Sequence, residues 1–164
     1  MRSSPTVELR TQSGFATQVR PHWPAMQLLA RRLVGAGRAE DVVQDALTLA
    51  WRKRADYCPE RGTPRAWLLA LTADQARKAL VRHRSVRELP EQLAAPGPQP
   101  ADLDLQLAVS RLSGRQRLAV ELHYFIGLPV AETAAAMGCA PGTVKSTLFE
   151  ARAKLRTLLG EDPT

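Results

Sequence analysis

Residues 128–156 read LPVAETAAAMGCAPGTVKSTLFEARAKLR, and this stretch predicts two helices joined by a tight turn. The first helix is short, and Gly138 ends it because glycine readily adopts the left-handed conformation that follows many helices. The second helix begins at Pro141, which suits the first helical position since its missing N–H is not needed there. A short helix, a glycine turn and a longer helix are typical of a helix-turn-helix.

The second helix, over residues 141–158, carries two stripes of side chains. An apolar stripe at 144, 148, 151 and 155 steps by four, three and four residues and is predicted to be buried. The next residue along at each step forms a largely basic stripe, and a basic helix fits the DNA major groove. Two packed helices with a solvated basic face are the alternative. We predict that this helix contacts DNA through Thr143, Lys145, Ser146, Phe149, Arg152 and Arg156.

The rest of the chain also predicts helices. Aromatic residues make up only 5%, while Ala, Leu and Arg are abundant and lose little freedom in a helix. Apolar residues at helical spacing predict helices over residues 25–34, 39–54 and 65–84, with a loop over 55–64 that holds two prolines and a glycine. The predicted fold class is therefore all-α.

A proline-rich linker is predicted between two small helical domains. Residues 88–104 (ELPEQLAAPGPQPADLD) contain four prolines and neither Lys nor Arg, and such a segment is too stiff and too polar to pack. The predicted organisation is a flexible tail over 1–14, a helical domain over 15–87, the linker, and the helix-turn-helix domain over 105–164. Two domains of this size have little core each, so contacts with partners are expected to matter.

Charge and composition limit the classes of function. The net charge is +7, and residues 1–87 hold 16 Lys and Arg against 7 Asp and Glu, which suits a polyanion such as nucleic acid or an anionic membrane; a solvated basic face is the plain alternative. We expect no membrane insertion, because no apolar run has the length of a signal peptide or a membrane span.

Cysteine and histidine usage points away from metal sites and catalysis. Cys58 and Cys139 lie far apart and show no zinc-ligand spacing, so we expect no metal, no cofactor and a reducing cytoplasm. His22, His83 and His123 are scattered, without a nucleophile and base in reach of one another. We therefore predict that the protein is not an enzyme.

Three strings together resemble the sigma-70 family of bacterial RNA polymerase sigma factors, in particular the extracytoplasmic-function (ECF) group. LSGRQRLAVELHYFIGLPVAETAAAMGCAPGTVKSTLFEARAKLR (112–156) resembles region 4, and LuxR-type DNA-binding domains carry similar strings. The first half decides between the two, because AEDVVQDALTLAWRKR (39–54) and GTPRAWLLALTADQARKALVRHR (62–84) resemble region 2. The resemblance covers roughly residues 25–87 and 105–159, and as in the ECF group no region 1.1 or region 3 is seen.

The resemblance implies a role in transcription initiation at promoter DNA. Region 2 is expected to open the −10 element and to dock on the β′ coiled coil of core RNA polymerase. Region 4 is expected to bind the β flap and to recognise the −35 element. Members of this group are commonly held by an anti-sigma factor, so such a partner is expected, whereas no C-terminal regulatory extension is. The residues implied for the β′ coiled coil are Asp41, Gln44, Asp45 and Thr48.

Strand opening requires a pocket for an unstacked base and a basic track for single-stranded DNA. We predict that the loop over 55–64 supplies the pocket through Tyr57, Arg61 and Thr63. The basic end of the following helix is predicted to hold the phosphates through Arg77, Lys78, Arg82 and Arg84.

Three positions in these strings depart from the family pattern. The family usually has Asn and Asp where this chain has Asp74 and Lys78, and an acid at 74 is a poor candidate for direct contact with DNA. The family often has Ser as the cap of the recognition helix, where this chain has Ala140, and alanine offers no side-chain cap.

Two other functions fit parts of the pattern. A LuxR-like regulator would bind duplex operator DNA without core polymerase. An adaptor that uses its helix-turn-helix to bind protein would tolerate the loss of Lys145 and Arg152.

Overall fold

The computed structural model describes residues 9–84 and 100–160, and the chain forms two compact units over residues 1–92 and 93–164. Every regular element in these two described ranges is helical, as the composition predicts.

The first unit is built on three helices that pack against one another. Its helices are α1 (Gln12–Val19), α2 (Trp23–Val34), α3 (Ala36–Arg52) and α4 (Pro64–His83). The mutually packed set is α2, α3 and α4, which correspond to the three predicted helices. Gly35, with a φ of 85°, allows the sharp turn between α2 and α3. The core is aliphatic, with fully buried side chains such as Met26, Leu29, Val43 and Leu69.

The prediction of a flexible tail over 1–14 is wrong for residues 9–14, while residues 1–8 lie outside the described part of the chain. Leu9 is fully buried, and α1 begins at Gln12. The Thr11 hydroxyl caps this helix by accepting a hydrogen bond from the Gly14 N–H at 3.1 Å. Next in the chain, the Phe15 ring packs edge-on against Trp51 at 5.2 Å. Tertiary packing, rather than helical periodicity, therefore orders this segment.

The second unit contains α5 (Pro100–Ser110), α6 (Gly114–Val120), α7 (Val130–Met137) and α8 (Pro141–Leu158). A π-helical turn, Glu121–Phe125, extends α6. The predicted linker over 88–104 falls largely on residues 85–99, which lie outside the described ranges. Its last five residues are helical instead, because a proline is tolerated in the first turn of a helix. From Asp104 onward α5 also supplies apolar contacts to the core, including Leu105 and Val109.

The helix-turn-helix forms as predicted. Gly138 ends α7 in the left-handed conformation at φ 65°, and the Cys139 N–H donates to the Ala134 carbonyl at 3.0 Å. Val144, Leu148 and Ala151 of α8 are buried against α6 and α7, and Leu155 packs at the edge of the same core. The predicted apolar stripe of α8 is thus confirmed, and it determines which side of α8 faces outward.

Ala140 occupies the cap position of α8 in an extended conformation and makes no side-chain cap bond. We expect Ala140→Ser to stabilise the second unit by about 1 kcal/mol, because a serine hydroxyl accepts from a first-turn N–H. In a domain of this size that corresponds to a rise in Tm of roughly 4–8 °C, measured by circular dichroism. Ala153→Ser, the same change at an exposed position inside α8, is the control and is expected to lower the Tm slightly. Equal shifts in the two variants would contradict the capping argument.

Candidate nucleic-acid interface

The outward side of α8 carries a basic stripe formed by Lys145, Phe149, Arg152 and Arg156, and all four side chains are exposed. Phe149 is 67% exposed, although a phenylalanine is ordinarily buried. The apolar ring of Phe149 suits contact with a base edge, and the cations on either side of it supply positive charge for phosphates. This stripe adjoins the buried stripe, so the packing of α8 holds it in a fixed direction.

Two of the predicted DNA-binding residues on α8 lie off the basic stripe. At 100° per residue, Ser146 lies about a quarter turn from Lys145, and Thr143 about half a turn. Thr143 is half-buried, and its carbonyl accepts a hydrogen bond from the Ser146 hydroxyl at 3.0 Å. Both residues are in the first two turns of α8, the end of a recognition helix that lies nearest to the bases.

The basic end of α4 is also exposed. Arg77, Lys78 and Arg82 lie on one face, and Arg84 follows the last helical residue. A shallow groove of about 480 Å³ is lined by Arg77, Lys78, Val81 and Arg82. On this face the Asp74 carboxylate forms ion pairs with both Arg77 and Lys78, and its negative charge offsets part of their positive charge.

The loop between α3 and α4 differs from the predicted pocket at Tyr57. Tyr57 is only 5% exposed, its ring packs on Trp67 at 5.3 Å, and its hydroxyl donates to the Gly62 carbonyl at 2.9 Å. The predicted direct contact between Tyr57 and an unstacked base is incompatible with this burial. Burial also raises the pKa of the Tyr57 phenol, and the neighbouring Cys58 and Glu60 raise it further. Tyr57 therefore shapes the loop from beneath.

The other two loop residues remain at the surface. The Thr63 hydroxyl caps α4 by accepting a hydrogen bond from the Ala66 N–H at 3.1 Å, so one of its acceptor sites is already in use. Arg61 is exposed and free to reach solvent on the same loop. Of the three predicted pocket residues, Arg61 is the one that the structure leaves best placed for contact with DNA.

On α3, a docking stripe formed by Asp41, Gln44, Asp45 and Thr48 is exposed along one side. The opposite side of the helix buries Val42, Val43 and Ala46. The Thr48 hydroxyl donates to the Gln44 carbonyl at 2.9 Å. The charged groups of the stripe are the carboxylates of Asp41 and Asp45. A groove of about 340 Å³ lies between this side of α3 and the basic end of α4, lined by Arg38, Asp41, Val42, Gln44, Asp45, Ala79, Arg82 and His83.

Several contacts around these surfaces were not predicted. The Arg54 guanidinium lies 3.7 Å from the centre of the Trp51 ring and donates to the Trp51 carbonyl at 2.6 Å, so Arg54 belongs to the scaffold. In the second unit, Glu121 is buried with its carboxylate 3.9 Å from Arg117 Nε. The four-residue spacing of this pair is a signal that the sequence contains.

Both cysteines are free, and residues 9–84 and 100–160 contain no group of three His, Cys, Asp or Glu arranged to hold a metal ion. Among the helices that the structure describes, none combines the length and apolar character needed to span a bilayer.

The two units match two family models. Residues 19–86 match sigma-70 region 2, and residues 102–155 match sigma-70 region 4. The ECF RNA polymerase sigma factor SigL of Mycobacterium tuberculosis is 34% identical to this chain, with 85% of each protein covered. The chain belongs to the ECF group of the sigma-70 family.

Solved structures agree with this assignment. The sigma factor RpoE of Bartonella quintana, solved with the anti-sigma factor NepR, is 32% identical with a TM-score of 0.72, and 91% of this chain and 98% of that one are covered. CnrH, solved with the cytosolic domain of CnrY, is 26% identical with a TM-score of 0.71, and 97% of each chain is covered. CnrH of Cupriavidus metallidurans also matches in sequence, at 31% identity over 92% of this chain and 89% of that protein.

This sigma factor thus binds core RNA polymerase and promoter DNA and directs promoter recognition. Sigma factors are non-catalytic initiation factors.

Proposed function

We propose that this ECF sigma factor recognises the −35 element with α8 and opens the −10 element with the basic end of α4 and the α3–α4 loop. The observation that carries the proposal is the exposed basic stripe of α8, held outward by the buried stripe beside it. Arg and Lys on such a face donate to guanine edges and phosphates, and the exposed Phe149 ring suits a thymine methyl group. The residues involved on α8 are Thr143, Lys145, Ser146, Phe149, Arg152 and Arg156.

The −10 assignment rests on charge and exposure in the first unit. Arg77, Lys78, Arg82 and Arg84 are all exposed at one end of α4, where a single strand would follow them as a basic track. Arg61, on the loop that precedes α4, is proposed to contact the unstacked base, while Thr63 and Tyr57 maintain the conformation of this loop.

We further propose that the docking stripe on α3 binds the β′ coiled coil and that the second unit binds the β flap. The exposed carboxylates of Asp41 and Asp45 support the first contact, because they offer charge for a basic partner without disturbing the core. The protein is proposed to act in the bacterial cytoplasm without enzymatic activity of its own. One relative was solved with the anti-sigma factor NepR and another with the cytosolic domain of CnrY, and we infer that an anti-sigma factor restrains this chain.

The test is transcription in vitro with purified core polymerase and a library of genomic promoter fragments. We expect transcripts from a small set of fragments that share −10 and −35 sequences, and no specific transcripts from core alone. The dependence on core separates this function from a LuxR-like regulator, which would retain tight binding to its DNA without polymerase. Folded protein that supports no promoter-specific transcript would refute the proposal.

A further inference from the structure

Asp74 forms an ionic cluster with the two cations that follow it on α4. Its Oδ1 accepts a hydrogen bond from Arg77 Nη2, and its Oδ2 lies 3.0 Å from Lys78 Nζ. The spacings of three and four residues place all three side chains on one face, with the acid on the N-terminal side, which is the favourable order. The Asp74 side chain is 32% exposed, against 74% for Arg77 and 55% for Lys78. The acid is thus the more enclosed partner, and both cations extend from it into solvent.

The Asp74 carboxylate remains ionised at neutral pH. Partial burial by itself raises the pKa of Asp74, but hydrogen bonds from Lys78 and Arg77, together with their positive charges, outweigh that effect and hold the pKa below its ordinary value. The cluster therefore carries a net charge of +1 where its two cations alone would carry +2. Each exposed ion pair is weak in stability terms, so its main consequence concerns the charge presented to a ligand.

The cluster borders the groove lined by Arg77, Lys78, Val81 and Arg82. Val81 is 61% exposed there, so the groove combines an apolar contact with cations. A surface of this kind suits a DNA backbone together with an unstacked base. Asp74 contacts two of the cations of this surface, Arg77 and Lys78.

We propose that Asp74 is a positioning residue that fixes Arg77 and Lys78 beside this groove and weakens their hold on single-stranded DNA. The proposal rests on the proposed function, in which α4 contacts the opened promoter strand. When a phosphate binds Arg77 or Lys78, it must compete with a carboxylate that remains in place. The first unit thereby neutralises fewer phosphates than its count of exposed cations suggests.

The test compares variants of the full-length protein binding a fluorescein-labelled oligo-dT, followed by anisotropy over a range of KCl concentrations. Asp74→Asn is expected to raise the affinity about three- to tenfold at low salt. It is also expected to steepen the slope of log K against log salt by about 0.7, the value for one more neutralised phosphate on a single strand. Asp74→Glu keeps the charge at the same spacing and is expected to retain wild-type affinity and slope.

The matched control is Asp104→Asn, which removes an exposed carboxylate of the same type from α5, outside the residues proposed to bind DNA. It makes the same change in net charge, and we expect its affinity to change less than twofold. In a background of Arg77→Ala with Lys78→Ala, Asp74→Asn is expected to have no further effect, because the cations on which Asp74 acts are gone. Circular dichroism confirms that each variant is folded.

Equal effects of Asp74→Asn and Asp104→Asn would overturn the proposal, as would an unchanged slope or a loss of affinity in Asp74→Asn. The persistence of its effect without Arg77 and Lys78 would overturn it as well. The proposed function is measured separately by promoter-specific transcription with the wild-type holoenzyme. If the holoenzyme gives no promoter-specific transcripts while the oligonucleotide results are as expected, the proposed role of α4 at promoters is refuted. The effect of Asp74 on binding of single-stranded DNA then still stands.

Discussion

Replacing both Asp41 and Asp45 with Arg is expected to weaken binding to core RNA polymerase by about a hundredfold or more. The two carboxylates lie on the exposed docking stripe of α3, while the opposite side of the helix packs into the core. The double reversal should therefore leave the fold intact and set like charges against a basic partner surface. Charge pairs in such an interface are worth about 1.5–7 kcal/mol each in measured cases, and a hundredfold loss corresponds to about 2.7 kcal/mol.

The measurement is competition of the unlabelled variant against labelled wild-type protein for core polymerase, without DNA. Asp56→Arg with Glu60→Arg is the matched control, because it also reverses two exposed carboxylates in the first unit but on the α3–α4 loop. That control is expected to compete within threefold of the wild type. If the α3 variant competes equally well, the docking stripe is not the surface that binds core polymerase.

The sequence predicts the helices well because their signals are local. In α8 the apolar stripe, the proline at its start and the glycine before it all agree, and the structure confirms them. In α3 the same periodicity separates the buried valines from the exposed docking stripe. Signals carried by residues three and four positions apart need no knowledge of the rest of the fold.

The errors arise where distant residues decide the outcome. Leu9 and Phe15 show no helical periodicity, yet burial of the first and packing of the second on Trp51 order the N-terminal segment. Tyr57 lies in a polar loop and suggested an exposed aromatic, but Trp67, ten residues later, covers its ring. Such contacts depend on tertiary packing, which overrides local propensity.

At the basic end of α4, the sequence predicts which side chains are exposed but not which of them form ion pairs. Helical spacing correctly places the cations of α4 on the surface, and Asp74 lies at a spacing from Arg77 and Lys78 that permits ion pairs. The actual geometry, in which one carboxylate contacts both cations, depends on side-chain rotamers and partial burial. A count of basic residues therefore overstates the charge that α4 offers to DNA.

The small size of the second unit affects how α8 would act. A domain of about 60 residues whose recognition helix lacks a side-chain cap has modest stability and need not bind DNA tightly by itself. Core polymerase would hold both units at one promoter, so the second contact becomes intramolecular and its effective concentration rises. Changes on α8 should therefore appear most clearly in the holoenzyme, on promoters that depend on the −35 element.

We expect Lys145→Ala and Arg152→Ala each to reduce transcription from such a promoter about tenfold or more, and the double variant by about a hundredfold. Each side chain is exposed on the basic stripe, and loss of a good contact between a cation and a base edge costs about 1–3 kcal/mol. The measurement is the initial rate of transcription by the reconstituted holoenzyme on a promoter recovered with the wild-type protein. Binding to core polymerase is measured in parallel and should not change.

Lys154→Ala is the matched control, because Lys154 is exposed on the same helix about half a turn away from Lys145. It removes the same side chain and the same charge, so a general electrostatic contribution of α8 would lower transcription equally in both variants. We expect Lys154→Ala to stay within twofold of the wild type.

Full activity of the double variant at Lys145 and Arg152, with core binding retained, would instead favour an adaptor in which the helix-turn-helix binds protein. Scrambling the −35 sequence tests which element these side chains contact. If Lys145→Ala and Arg152→Ala no longer lower transcription relative to the wild type on the scrambled promoter, the contact is with the −35 element, because the wild type has also lost that contact there.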